Sequence, residues 1–226
     1  HLKDNNMSEK YSVSPSGEKF PLPKTEDYKT EFENIKKRVK QERAKGREIV
    51  VVMGVGFVGA VMAAIVADTV DKKGKPSKFV IGMQRPSVRS FWKIPMLNRG
   101  VSPVKAEDPE VDPMIARCVK EKKTLMATYT YDVLKLADVV VVDVQCDYIK
   151  EELGNVRAGQ TDMAALEASL AVIAEHIPAE ALVLIETTVA PGTTEQVAYP
   201  IMKKAFSKRG IKTDPLLAHS YERVMP

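Results

Sequence analysis

Three glycines, Gly54, Gly56 and Gly59, stand at the G-x-G-x-x-G spacing, directly after the apolar run 49–53 and at the head of the apolar run 57–70. Strand, tight turn and helix in that order can hold a pyrophosphate. Gly54 permits the turn, Gly56 lets a phosphate approach the backbone, and Gly59 lets the helix pack closely on the strand. The loop residues Gly54, Val55, Gly56, Phe57, Val58 and Gly59 are therefore expected to contact a dinucleotide, with the helix N-terminus offering N–H groups and partial positive charge to the phosphates. A membrane span is the rival reading, because residues 49–67 carry no charge and are just long enough to cross a bilayer. Three glycines weaken such a helix, and the strand-helix units that follow need this strand as a partner.

Ligands of open α/β sheets bind beyond the carboxyl ends of the strands, so the other strand ends are the next candidates. After the second strand, where an Asp or Glu would hold the adenosine ribose, the chain reads Met83-Gln84-Arg85-Pro86-Ser87. Gln84 could bond a ribose hydroxyl; with Arg85 and Arg89 nearby, a neutral amide could also tolerate a 2′-phosphate. Both arginines also fit a solvated loop. Thr128 ends the third strand with a hydroxyl that could reach a cofactor. The fourth ends in Val144, Gln145 and Cys146, which places a thiol near the cleft, as a nucleophile or as a small semi-buried side chain. The fifth runs into Glu186, Thr187, Thr188 and on to Thr194, and the sixth into His219, Ser220, Tyr221 and Glu222. Either segment alone could be a helix cap and a turn; together they converge on one cleft.

The elements that must position these residues repeat a strand-helix rhythm. Strands are expected at 48–53, 78–83, 125–128, 139–144, 182–186 and 212–218, and helices at 57–70, 109–120, 161–176 with Thr161 as N-cap, and 193–207. The expected fold class is α/β, a Rossmann-type doubly wound, mainly parallel six-stranded sheet over residues 48–226, with an N-terminal helical extension. Residues 1–24, polar and holding Pro15, Pro21 and Pro23, read as a flexible arm. Residues 25–47 read as an amphipathic helix whose stripe, Tyr28, Phe32, Ile35 and Val39, lies against the following domain or forms a dimer contact. The connection 84–108 is long, as binding loops often are.

Composition narrows the function classes. Residues 1–47 hold 12 Lys/Arg and 8 Asp/Glu, so they carry the whole net charge of +4 and the remainder is neutral. That distribution gives little support to nucleic-acid binding. Two cysteines without a CxxC partner, and three histidines, suggest neither a disulfide framework nor a metal cluster. Cys118 is assigned to packing within a helix. The polar N-terminus lacks a signal-peptide pattern, so a cytoplasmic location is expected.

The stretches GVGFVG at 54–59, LNRGVSPVKAEDPEVDPMI at 97–115, LMAT at 125–128, ADVVVVDV at 137–144, ETTVAPGTT at 186–194 and SYERVMP at 220–226 resemble the N-terminal domain of the UDP-glucose/GDP-mannose dehydrogenases, the nucleotide-sugar 6-dehydrogenases. SYERV is closer to the UDP-N-acetylhexosamine branch. The resemblance implies oxidation of a sugar C6 alcohol to a carboxylate by two successive hydride transfers to NAD, through a cysteine thioester that water hydrolyses. It implies a nucleotide-sugar substrate and a homodimer in the full-length protein; no nucleic-acid or membrane partner is expected, from the charge distribution and the glycines. By motif, Thr188 would sit beside the nicotinamide and help order the catalytic water, Glu222 would assist acid-base steps, and Thr128 would touch the cofactor. The sugar-nucleotide domain and the thioester cysteine are expected beyond Pro226. The chain departs from the family at Gln84, where an acid is usual, and in Val144-Gln145-Cys146-Asp147, where V-P-T-P is usual. Two alternatives remain at this point: a self-contained non-catalytic NAD(P)-binding module, or the cofactor domain of a hydroxyacid or 6-phosphogluconate dehydrogenase.

Overall fold

The computed structural model describes residues 10–144, 147–149 and 160–220. An antiparallel hairpin comes first, β1 (Tyr11–Val13) and β2 (Lys19–Pro21), followed by α1 (Thr25–Ala44). Then come β3 (Glu48–Met53), α2 (Phe57–Asp68), β4 (Lys78–Met83), α3 (Lys93–Asn98), α4 (Val111–Lys120) and β5 (Leu125–Thr128). A 3₁₀ turn (Tyr131–Leu136) crosses to β6 (Val139–Val142). A second antiparallel hairpin, β7 (Asp147–Ile149) and β8 (Gln160–Asp162), precedes α5 (Ala164–His176) and β9 (Leu182–Ile185). A π-helical turn (Thr194–Ala198) leads into α6 (Tyr199–Lys208), and β10 (Leu216–His219) closes the described chain.

Six strands form one sheet in the order β10-β9-β6-β3-β4-β5, every pairing parallel. Numbered along the chain, that is the 3-2-1-4-5-6 order of dinucleotide-binding sheets, read from β5. Both faces are covered, which is why β3 and β6 read as unbroken apolar runs rather than alternating ones. Ile49, Val51 and Met53 of β3 join the core with α1, the 3₁₀ turn, α5 and α6, whereas Val50 and Val52 join the opposite core with α2, α3 and α4. The uncharged stretch once compatible with a membrane span is thus a strand and a 12-residue helix. Among the described residues no helix is long and apolar enough to cross a membrane.

The apolar stripe of α1 faces this chain's own sheet. Ile35 and Val39 are buried with Phe79 and Ile81, and the Tyr28 ring meets Tyr129 edge-on at 5.0 Å. Arg43 Nη1 donates to both carboxylate oxygens of Asp138 at 2.9 Å, and Asp138 Oδ2 accepts the Ile49 N–H at 2.8 Å, so the helix end is tied to the start of β3.

Two expectations about elements are corrected. Residues 11–21, read as flexible arm, form a hairpin that packs: each strand buries its central residue, Ser12 or Phe20, Ser12 Oγ accepts the Trp92 N–H, and Arg99 lies over Phe20 while pairing with Glu18. One buried residue per strand is too little to show as a pattern. Residues 1–9 of that arm lie outside the described residues. Thr161 is not an N-cap; it pairs with Tyr148 in the β7–β8 hairpin, and α5 begins at Ala164. The connection 84–108 also carries α3, whose Asn98 carboxamide bonds both the N–H and the C=O of Ala127 and so completes the exposed edge of β5.

Candidate functional site

The chain leaves β3 and β6 toward opposite faces, and a cleft of about 990 Å³ opens at their carboxyl ends. Such a topological switch point is where open α/β sheets hold ligands. Its floor is the glycine loop, and the three glycines have separable roles. Gly54 has φ +99°, and a Cβ there would stand 2.6 Å from the Asp143 carbonyl oxygen. At Gly59 a Cβ would stand 2.0 Å from the Gly54 carbonyl oxygen. Both positions require glycine for the fold itself. A Cβ on Gly56 would meet nothing within 4 Å; it would project into the open cradle, where a ligand needs the backbone bare.

Gly56 is also the N-cap of α2. No side chain caps it, no acid occupies its first turn, and the first intrahelical bond is Ala60 N–H to Gly56 O. The N–H groups ahead of it have no intrahelical acceptor, and they face a cleft lined by Gly56, Phe57 and Val58. The residues present therefore fit a dinucleotide's pyrophosphate.

β4 contributes Met83, Gln84 and Arg85 to the lining. Gln84 Oε1 accepts the Val55 N–H at 3.1 Å. That bond corrects the expectation for Val55: its N–H is engaged, its side chain is fully buried in the α2 core, and it supports the loop from beneath. Thr128 is corrected as well. It is fully buried, and its Oγ1 donates to Glu31 Oε1 at 2.8 Å, so its hydroxyl is turned to α1. Burial raises the Glu31 carboxyl above its ordinary range, only partly offset by that bond.

From the segment after β6 come Asp143 and Val144, and from the segment after β9 come Glu186, Thr187 and Thr188. Thr187 joins the two strand ends: its Oγ1 accepts the Val144 N–H at 3.1 Å and donates to the Val144 carbonyl at 2.9 Å. Thr188 follows it, exposed and lining the cleft. Gln145, Cys146 and Glu222 lie outside the described residues. Cys118 is buried on α4; burial, then the neighbouring Asp68 charge, pushes its thiol up to about 11.

Sequence reasoning missed Tyr131, Asp143 and the α5 wall. The wall had a signal: Ala165, Ala168, Ser169 and Val172 are small residues at helical spacing, one face left low enough for a ligand to lie against. Tyr131, in a crossover turn, and Asp143, one residue past a strand, had none.

The model of the UDP-glucose/GDP-mannose dehydrogenase family, NAD binding domain, matches residues 48–226. A UDP-N-acetyl-D-mannosamine dehydrogenase from Pyrococcus horikoshii is 29% identical over 177 residues, which are 78% of this chain and 37% of that protein. Among solved structures, an NDP-N-acetyl-D-galactosaminuronic acid dehydrogenase from Methanosarcina mazei Go1 is 32% identical with a TM-score of 0.66, covering 84% of this chain and 37% of that one. A UDP-D-ManNAc dehydrogenase from Pyrococcus horikoshii is 28% identical with a TM-score of 0.58, covering 79% and 37%. The chain thus spans 37% of the length of the curated relative it matches. The glycine loop at the switch point, the bare cradle at Gly56 and a match running from β3 onward agree: the chain belongs to the UDP-glucose/GDP-mannose dehydrogenase family and carries its NAD binding domain.

Proposed function

We propose that this chain is the cofactor-binding part of a nucleotide-sugar 6-dehydrogenase that oxidises the C6 alcohol of a UDP-N-acetylhexosamine to the carboxylate. The SYERV segment at 220–224 and the named activities of the relatives support that sugar class. A cytoplasmic homodimer is part of the same reading. When bound, NAD supplies a hydride acceptor at its nicotinamide ring. The chain's own task is to hold the dinucleotide and leave its reactive end accessible. Backbone N–H groups at the start of α2 would take the pyrophosphate, and the low face of α5 would let the ligand lie along the cleft. Thr187 fixes the segment after β9, so the next residue, Thr188, offers its hydroxyl from a rigid base. Ordering a water there is the role proposed for it, with Glu222 assisting proton transfer.

The observation that carries the cofactor-binding part of this reading is the contrast among the glycines: two are closed by the fold and one is left open. Gly56→Val should fold, since its β-carbon meets nothing and φ is −71°, yet its side chain would occupy the cradle. Calorimetric titration should find NAD bound at least thirtyfold more weakly, a loss of about 2 kcal/mol. Equal affinity in a folded variant would sink the proposal.

A further inference from the structure

The adenosine end of the cleft offers donors. Gln84 Oε1 accepts the Val55 N–H. A flipped amide would set two donors against each other, so its orientation is fixed and its NH₂ group is left to donate to a ligand, beside the second lone pair of Oε1. Arg85 lines the cleft beside it and is exposed, and its guanidinium makes no hydrogen bond or ion pair among the described residues. It stands near the phenol of Tyr28, whose pKa burial raises above its ordinary value.

Carboxylates line the same cleft, but elsewhere. Asp143 follows β6 and Glu186 follows β9, strands on the far side of β3 from β4. At about 4.8 Å per strand they stand roughly 10 and 14 Å from the end of β4. Glu31 is held by Thr128 and does not line the cleft. A ribose with free hydroxyls is best held by a carboxylate, which accepts from both and repels a 2′-phosphate. Among the described residues this end has no such acid, and it has an unpaired planar fork of N–H donors suited to phosphate.

We propose that the adenosine end of this cleft accepts a 2′-phosphate, so that the domain takes NADP as well as NAD, with Arg85 as counter-charge and the Gln84 amide as donor. This rests on the reading of the cleft as a dinucleotide site and adds to it the recognition of the ribose.

The 226-residue chain is titrated calorimetrically with NAD and NADP, and with 5′-AMP and adenosine 2′,5′-bisphosphate to isolate the ribose end. NADP should bind within about thirtyfold of NAD, and the bisphosphate about tenfold more tightly than 5′-AMP, with that preference shrinking as salt is raised. Arg85→Ala, an exposed change that leaves the core intact, should weaken NADP about tenfold and NAD less than about twofold. Gln84→Asp should weaken NADP more than NAD, since a carboxylate there repels a 2′-phosphate. NAD bound with NADP more than about thirtyfold weaker, or an Arg85→Ala loss shared equally by both, would overturn this proposal and leave the cofactor site standing. A folded chain that binds neither would overturn both.

Discussion

Asp68 ends α2 and gathers two cations from the α4 side: Arg117 Nε and Nη2 donate to its two oxygens at 2.9 and 2.7 Å, and Lys122 Nζ to Oδ1 at 2.7 Å. These bonds anchor the helix whose other end meets the cleft. Arg117 holds the Asp68 carboxyl well below the usual carboxylate range, against the opposing effect of burial. A depressed native pKa contributes stability that is present above the unfolded value near 3.8 and lost as pH falls through the native one. Asp68→Asn should therefore cost about 1–2 kcal/mol at neutral pH, less than a fully buried pair because solvent reaches the site. Urea unfolding should show the gap to the parent closing as pH drops below the unfolded pKa; a gap independent of pH would mean that shape, not charge, matters here. At this scale the glycines are legible in sequence because spacing alone fixes their geometry. Thr128 is not: a hydroxyl at a strand end suits a cleft or a covering helix equally, and its partner Glu31 lies 97 residues away.

Among the elements, α1 has the least obvious place, since it precedes the sheet and has no strand of its own to follow. Its role comes from the short crossover: six residues of 3₁₀ turn connect β5 to β6 where a longer helix could have covered that face. Ile35 and Val39 of α1 fill the space over Phe79 and Ile81 instead. If α1 is part of the core, Ile35→Ala should cost about 2–4 kcal/mol in urea unfolding, the loss of a buried aliphatic side chain together with the cavity it leaves. A cost below about 1 kcal/mol would show a helix merely laid on a finished domain. The stripe of α1 is legible because four apolar residues recur at helical spacing. The β1–β2 hairpin is not, because three-residue strands with one buried position each offer no period to read. The strand ends shift by a residue or two where the apolar run outlasts the pairing, as at 143–144 after β6 and at 186 after β9, whereas β10, expected from 212, begins only at Leu216.

For the whole molecule, the parallel order is what makes a site. β3, β4, β6 and β9 are separated in sequence by helices and turns, yet their carboxyl ends adjoin, so the glycine loop, Gln84, Asp143 and Thr188 share one cleft. The alternation of strands and helices makes the sheet legible, and right-handed crossovers leave few possible orders. That same arrangement holds a cofactor, but the proposed oxidation asks for two further things. A thiolate must trap the aldehyde so that a second hydride can leave, and a pocket must fix the sugar near the nicotinamide, since much of the rate comes from position. Cys118 cannot serve: it is fully buried on α4, and burial pushes its thiol up to about 11, away from the reactive thiolate. Cys146 lies outside the described residues, in a stretch of sequence where the family resemblance implies no nucleophile. The chain spans 37% of the length of its curated relative. The 226-residue chain should then bind NAD without reducing it when offered UDP-N-acetylglucosamine, UDP-N-acetylmannosamine, UDP-N-acetylgalactosamine, UDP-glucose or GDP-mannose. Absorbance of NADH checks this directly. Sustained turnover that vanishes in Cys146→Ser would reverse the conclusion and put the nucleophile after β6, inside the cofactor domain itself.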